Sequence, residues 1–191
     1  RVITVLGMHR SGTSLLAGTL QEAGLFLGDV VNQAPHNLKG NRESLPIREL
    51  HDDLLLRAKG SWDDPPEKVI WQSIHASLRD SIINQFADQY IWGFKDPRAL
   101  FCLEGWLEAL PSLECVGIFR HPEEVSMSLK ARNAWSIEKG IKLWKIYNKR
   151  LLFWHDKFRF PLIEFGSDPN LFRKQASQLI NKLELIRDVS P

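Results

Sequence analysis

Cysteine is scarce, with only Cys102 and Cys115 in 191 residues. Two are too few for a disulfide framework, and both stand in apolar, helix-like or strand-like surroundings, so buried free thiols are expected. No apolar run approaches the ~18 residues of a membrane span. A signal-peptide pattern is also missing, so the expectation is a cytoplasmic protein without stable membrane insertion. Neither charge is in real excess: 25 Lys and Arg face 23 Asp and Glu, for a net +2. That is too mild to argue for a nucleic-acid partner, though it admits a small anionic ligand. The histidines lack the spacing of metal ligands, so no metal is expected. Internal repeats and low-complexity segments are absent.

What is present is ordinary globular material, 43% hydrophobic and 25% charged, enough for one domain over 1–191 with a real core. The chain opens on Arg1 directly at a strand pattern and stops at Pro191 soon after a helical one, so flanking segments are expected to be missing.

The opening stretch carries the strongest pattern. A β-branched apolar run (Val2, Ile3, Val5, Leu6) ends at Gly7, and Met8-His9-Arg10-Ser11-Gly12 leads to a helical pattern at Thr13-Ser14-Leu15-Leu16. Strand, glycine-bounded loop and helix together hold a phosphate, because backbone N–H groups and the helix dipole converge on one anion. The glycine spacing fits the nucleotide-binding pattern G-x-x-x-x-G-K-[ST], except that Thr13 stands where the lysine must be.

Further strands are expected at 90–94, 115–119 and 161–165. Helices are expected over 13–23, with Leu15, Leu16 and Leu20 facing inward and Gly24 as a stop, and after Ser44, with Ile47, Leu50 and Leu54 inward. A third follows the four-residue repeat of Ile70, Ile74, Leu78, Ile82 and Phe86. Others run from Leu100, from Glu123, over 137–158 and over 172–183. Strands alternating with helices predict a three-layer α/β/α domain with a mainly parallel central sheet. The segment 28–41 is long, loop-like and a functional candidate.

In such sheets ligands collect at the carboxyl ends of the strands. Three of those ends carry cations: Met8-His9-Arg10, Lys95-Asp96-Pro97-Arg98 and Arg120-His121-Pro122. A polyanionic ligand along that edge is the direct inference. Without the lysine, and with Asp96 as the sole candidate magnesium ligand at a strand end, a nucleoside-triphosphate reading is disfavoured. Arg10 and the hydroxyls of Ser11, Thr13 and Ser14 suit a phosphate met by arginine and N–H groups without a metal.

These residues match a family. Arg10-Ser11-Gly12-Thr13-Ser14 resembles the 5′-phosphosulfate loop of PAPS-dependent sulfotransferases. The run from Phe119 to Ser128 resembles their 3′-phosphate motif, in which an arginine and a serine eight residues later grip the 3′-phosphate, here Arg120 and Ser128. Lys95-Asp96-Pro97 is similar to a motif of the tyrosylprotein and bacterial enzymes, and Asn37-Leu38-Lys39-Gly40-Asn41-Arg42-Glu43 to a loop-to-helix segment of the bacterial group. The resemblance implies a P-loop-like sulfotransferase fold, PAPS as donor and no metal. It implies nucleotide contacts at His9, Arg10, Ser11, Gly12, Thr13, Ser14, Arg120 and Ser128. It also implies charge stabilisation by Lys95 and Arg10, and a base at Glu43 or, on the same loop, His36. The acceptor is open: small molecule, carbohydrate, lipid or peptide. The C-terminal Gly-rich basic motif of cytosolic eukaryotic members is absent.

Rival readings remain at this stage. A kinase-like NTPase and a catalytically inactive PAP-binding module share parts of the pattern. Among the other histidines, His9, His51 and His121 compete as bases by chemistry, although His51, beside Asp52 and Asp53, is expected to be solvated.

Overall fold

A computed structural model describes residues 1–31, 40–166 and 168–185. The elements run β1 Val2–Leu6, α1 Thr13–Glu22, α2 Leu45–Arg57, α3 Ser73–Asn84, β2 Trp92–Lys95 and α4 Ala99–Ala109. They continue β3 Glu114–Arg120, α5 Pro122–Asn133, α6 Ile137–Phe158, β4 Leu162–Phe165 and α7 Pro169–Lys182. All strand pairs are parallel, in the order β2-β1-β3-β4. The chain therefore goes to one side of β1 first and crosses to the other for its second half. Every strand ends on the same edge, with Val5 level with Lys95 and Arg120 level with Phe165.

Strand periodicity builds the layers, since successive side chains point to opposite faces. Val2 and Leu6 join a core with α2, α4, α5 and α6, while Ile3 and Val5 join α1 and α7 on the other face. The chain is thus an α/β fold with helices on both sides of a parallel sheet. Along α6, Leu143, Tyr147, Leu151 and Trp154 recur on one buried face, each contributing about 1.5–3 kcal/mol by burial. Cys102 and Cys115 are free and buried. No helix among the described residues is long and apolar enough to cross a membrane.

Three expectations about burial are corrected. Helix α3 exists, but Ile70, Ile74 and Leu78 are 70%, 53% and 47% exposed. Its buried face is His75, Arg79 and Ile82. Polar anchors set that face: Gln72 N–H donates to His75 Nδ1 at 3.1 Å, His75 Nε2 bonds Asp53 at 2.9 Å, and Arg79 donates to the Gly105 carbonyl. Leu15 does not face inward; it is 39% exposed and borders two cavities. His51 is fully buried, not solvated.

Candidate active site

The loop after β1 is shaped by close approach and by backbone conformation. A Cβ on Gly7 would meet the Ile118 carbonyl oxygen at 2.5 Å, and one on Gly12 would meet the Phe165 ring at 2.7 Å. Gly12 also takes the left-handed φ of 87° as the N-cap of α1, a conformation costly for other residues. Arg10 adopts φ 67° without that freedom. A non-glycine residue held there marks a backbone fixed by its surroundings. Ser14 Oγ donates to the Asn41 carbonyl at 3.0 Å. Ser11 Oγ is buried with no partner among the described residues.

On the β3–β4 side, three arginines gather. Arg10 Nε donates to Ser128 Oγ at 2.8 Å, and Arg120 Nη1 donates to the Arg10 carbonyl at 3.4 Å. Ser128 and Arg120 thus meet through Arg10. The Arg120 guanidinium lies 4.9 Å over the Phe165 ring and bonds Glu124 at 2.6 Å. Burial, then the charges of Arg132 and Arg120, push the Arg10 guanidinium below its ordinary value. Arg132 lines the same cavity. The sequence reading missed it, and the available signal was its position one helical turn beyond Ser128.

On the β2 side, Lys95 Nζ donates to Glu43 Oε1 at 2.7 Å, with both side chains withdrawn from solvent. Burial lowers the Lys95 pKa, and the Glu43 charge and hydrogen bond oppose that shift. Behind this pair lies a chain of buried polar groups. Trp106 Nε1–H donates to His51 Nε2 at 2.8 Å, so the ring proton sits on Nδ1 and faces Asp96 Oδ2 at 3.0 Å. Asp96 Oδ1 accepts from Arg98 N–H at 3.0 Å and Nη1 at 2.9 Å, while Arg98 Nε bonds Asp52. Asp96 is thereby committed to holding Arg98. His9 packs 4.8 Å from Trp62 and 5.8 Å from Tyr147 between ring centroids. Burial first, then the charge of Arg98, holds His9 neutral.

These walls enclose a cavity of about 610 Å³. His9, Arg10, Gly12, Thr13 and Ser14 border it from the loop; Glu43 and Lys95 border one side and Arg120 the other. Ser11, buried within the loop, and Ser128, which accepts from Arg10, are not among the residues that border the cavity. His36 lies outside the described residues. His121 is exposed in the N-cap position of α5. A second cavity of about 750 Å³, between α1 and α7, shares Ser14, Leu15 and Phe165 with the first.

No protein-family model matches the chain, and no curated protein matches it in sequence. Among solved structures, the chain is similar to an uncharacterized protein from Eubacterium ventriosum ATCC 27560, at 15% identity and TM-score 0.49 over 96% of this chain and 98% of that one. It is also similar to sulfotransferase STF1 from Mycobacterium tuberculosis H37Rv, at 15% identity and TM-score 0.46 over 96% of this chain and 71% of that one.

Proposed function

We propose that the protein is a PAPS-dependent sulfotransferase, moving the sulfuryl group to an acceptor hydroxyl or amine and releasing PAP. One observation carries the reading: the phosphate-type loop and the Lys95–Glu43 pair border the same cavity from adjoining strand ends. The donor's 5′-phosphosulfate lies on the loop N–H groups and Arg10, its 3′-phosphate at Arg120 and Ser128, and its nucleoside toward the second cavity. The acceptor approaches from the β2 side. Glu43 uses Oε1 on Lys95 and offers Oε2 to the acceptor proton. As the acceptor oxygen or nitrogen bonds sulfur, the bond from sulfur to the bridging phosphate oxygen breaks and its electron pair leaves with PAP. Lys95 and Arg10 stabilise the charge that develops on the transferring group and the leaving oxygen.

The NTPase alternative is less well supported. Thr13 replaces the lysine of that chemistry, and both oxygens of Asp96 are occupied by His51 and Arg98.

Thermal unfolding with added nucleotide separates the two. PAP is expected to raise the melting temperature without Mg²⁺, and ATP with Mg²⁺ is expected to leave it unchanged. The reverse pattern overturns the reading.

A further inference from the structure

The two sides of the cavity are furnished differently. The β2 side presents Asn41, Arg48, Asp52 and Arg98, with Pro97 as its apolar surface, while Trp62 joins the lining beside Arg132, whose guanidinium lies 5.9 Å over its ring. The other apolar side chains of the lining, Leu15 and Phe165, stand beside the phosphate-type loop and open onto the second cavity. An alkyl chain, sterol or bare phenol on the β2 side strips water from Arg48 and Asp52 and returns no hydrogen bonds. A ring bearing several hydroxyls returns them.

Trp62 supplies a surface for such a ring. Its turn is closed by a bridge between Ser61 and Asp64, and its carbonyl accepts from Tyr147 Oη at 2.7 Å. Its indole is stacked on Trp135, 5.4 Å between centroids at 16°, with His9 tilted against it at 4.8 Å and the Arg132 guanidinium 5.9 Å over the ring, and its partly exposed remainder borders the cavity. A side chain fixed this way loses little further entropy when a ligand packs on it.

Charge adds a second constraint. Lys95 is matched by Glu43 at 2.7 Å, and Arg98 by Asp96 at 2.9 Å and by Asp52. Arg48, half-buried in the first turn of α2, lines the cavity and has no carboxylate partner among the described residues. Among the described residues, Arg48 and Arg132 both line the cavity without a carboxylate partner, and Arg48 is the one on the β2 side.

We infer that the acceptor is an acidic carbohydrate, a sugar whose ring packs on Trp62 and whose carboxylate pairs with Arg48 while a hydroxyl reaches Glu43. This rests on the sulfuryl-transfer reading. The sugar oxygen bonds sulfur, its proton passes to Glu43, and PAP departs with the electrons of the broken sulfur–oxygen bond. A guanidinium–carboxylate contact made inside such a cavity is the strong kind of hydrogen bond, so it sets preference as well as affinity.

Saturation-transfer NMR on the PAP-bound protein tests the inference with three probes: trigalacturonic acid, neutral maltotriose and 2-naphthol. The expected result is tightest binding of the acid. Arg48→Ala lowers that affinity by about tenfold, the loss of one charged contact, and leaves maltotriose unchanged. Arg48→Lys keeps part of the preference. Trp62→Ala weakens both sugars, with circular dichroism confirming the fold. Equal affinity for acid and neutral sugar, tighter binding of 2-naphthol, or an unchanged preference in Arg48→Ala overturns the inference. PAP binding is measured first, by melting temperature. A protein that ignores PAP overturns the sulfuryl-transfer reading itself, whereas PAP binding without an acid preference overturns only the acceptor.

Discussion

Lys95 and Glu43, 52 positions apart in sequence, meet at 2.7 Å with 2% and 8% of their side chains exposed. Removing one member leaves the other charged and buried, so Lys95→Ala is expected to cost roughly 3–5 kcal/mol. The double change Lys95→Met with Glu43→Gln removes both charges and is expected to recover much of that loss. Urea denaturation of the two variants checks it. A double variant no more stable than Lys95→Ala would show that the pair is not the cause.

Glu43→Gln separates binding from turnover. The amide still accepts from Lys95 but cannot take a proton. Turnover is expected to fall by about 10²–10⁴, while PAP still raises the melting temperature. Full activity in this variant passes the base role to another group, His36 first.

Arg120→Ala is expected to abolish the stabilisation by PAP, because it removes the cation proposed for the 3′-phosphate. Ser128→Ala is expected to reduce it less, since the serine is a neutral partner that also holds Arg10. Isothermal titration with PAP reads both. Unchanged affinity in Arg120→Ala removes this residue from the nucleotide site.

Asp96 gives a pH dependence. Burial works against its carboxylate, but the His51 hydrogen bond and the Arg98 charge outweigh that and hold its pKa well below 3.8. With the folded pKa below the unfolded one, the unfolded chain takes up the proton first as pH falls. The contribution is therefore complete above the ordinary carboxylate value and is lost as pH drops through the folded value. The urea midpoint is expected to decline below about pH 4, and less steeply in Asp96→Asn. That variant is already weaker at neutral pH by roughly 3–5 kcal/mol, with Arg98 left short of an anion. Equal slopes in the two proteins would remove Asp96 from the acid transition.

The thiols provide a check on packing. Burial raises the Cys102 pKa well above its ordinary value and pushes Cys115 up to about 12. Neither is expected to react with a disulfide reagent at pH 8 until denaturant is added. Rapid labelling of the native protein contradicts this packing.

The strands were legible because continuous apolar runs bounded by Gly, Pro and charge have few other uses, and α6 follows from its strong amphipathic period. Helix α3 was legible as a helix but not in its orientation. Its apolar row was the obvious candidate for burial, yet His75 and Arg79 found partners in Asp53 and Gly105, and no local pattern reports partners so distant in sequence. His51 was misjudged for the same reason: Asp52 and Asp53 are its neighbours in sequence, but Asp96 and Trp106 are its neighbours in space. At the site, the cations were visible because strand ends share one edge. Their pairings, Lys95 with Glu43 and Arg10 with Ser128, needed the fold. The left-handed backbone of Arg10 had no signal at all, since arginine does not advertise a positive φ.

The strand order has an evolutionary consequence. Apart from the loop after β1, the cavity's β2 side comes from residues before Ala99, and its other side from residues after Phe119. A recombination break between α4 and β3 would exchange one half of the cavity as a block and leave the other in its own sequence context. Ligand preference on one side can then drift while the opposite side stays under its own selection. Among the described residues, the shared loop is where a change is felt by both.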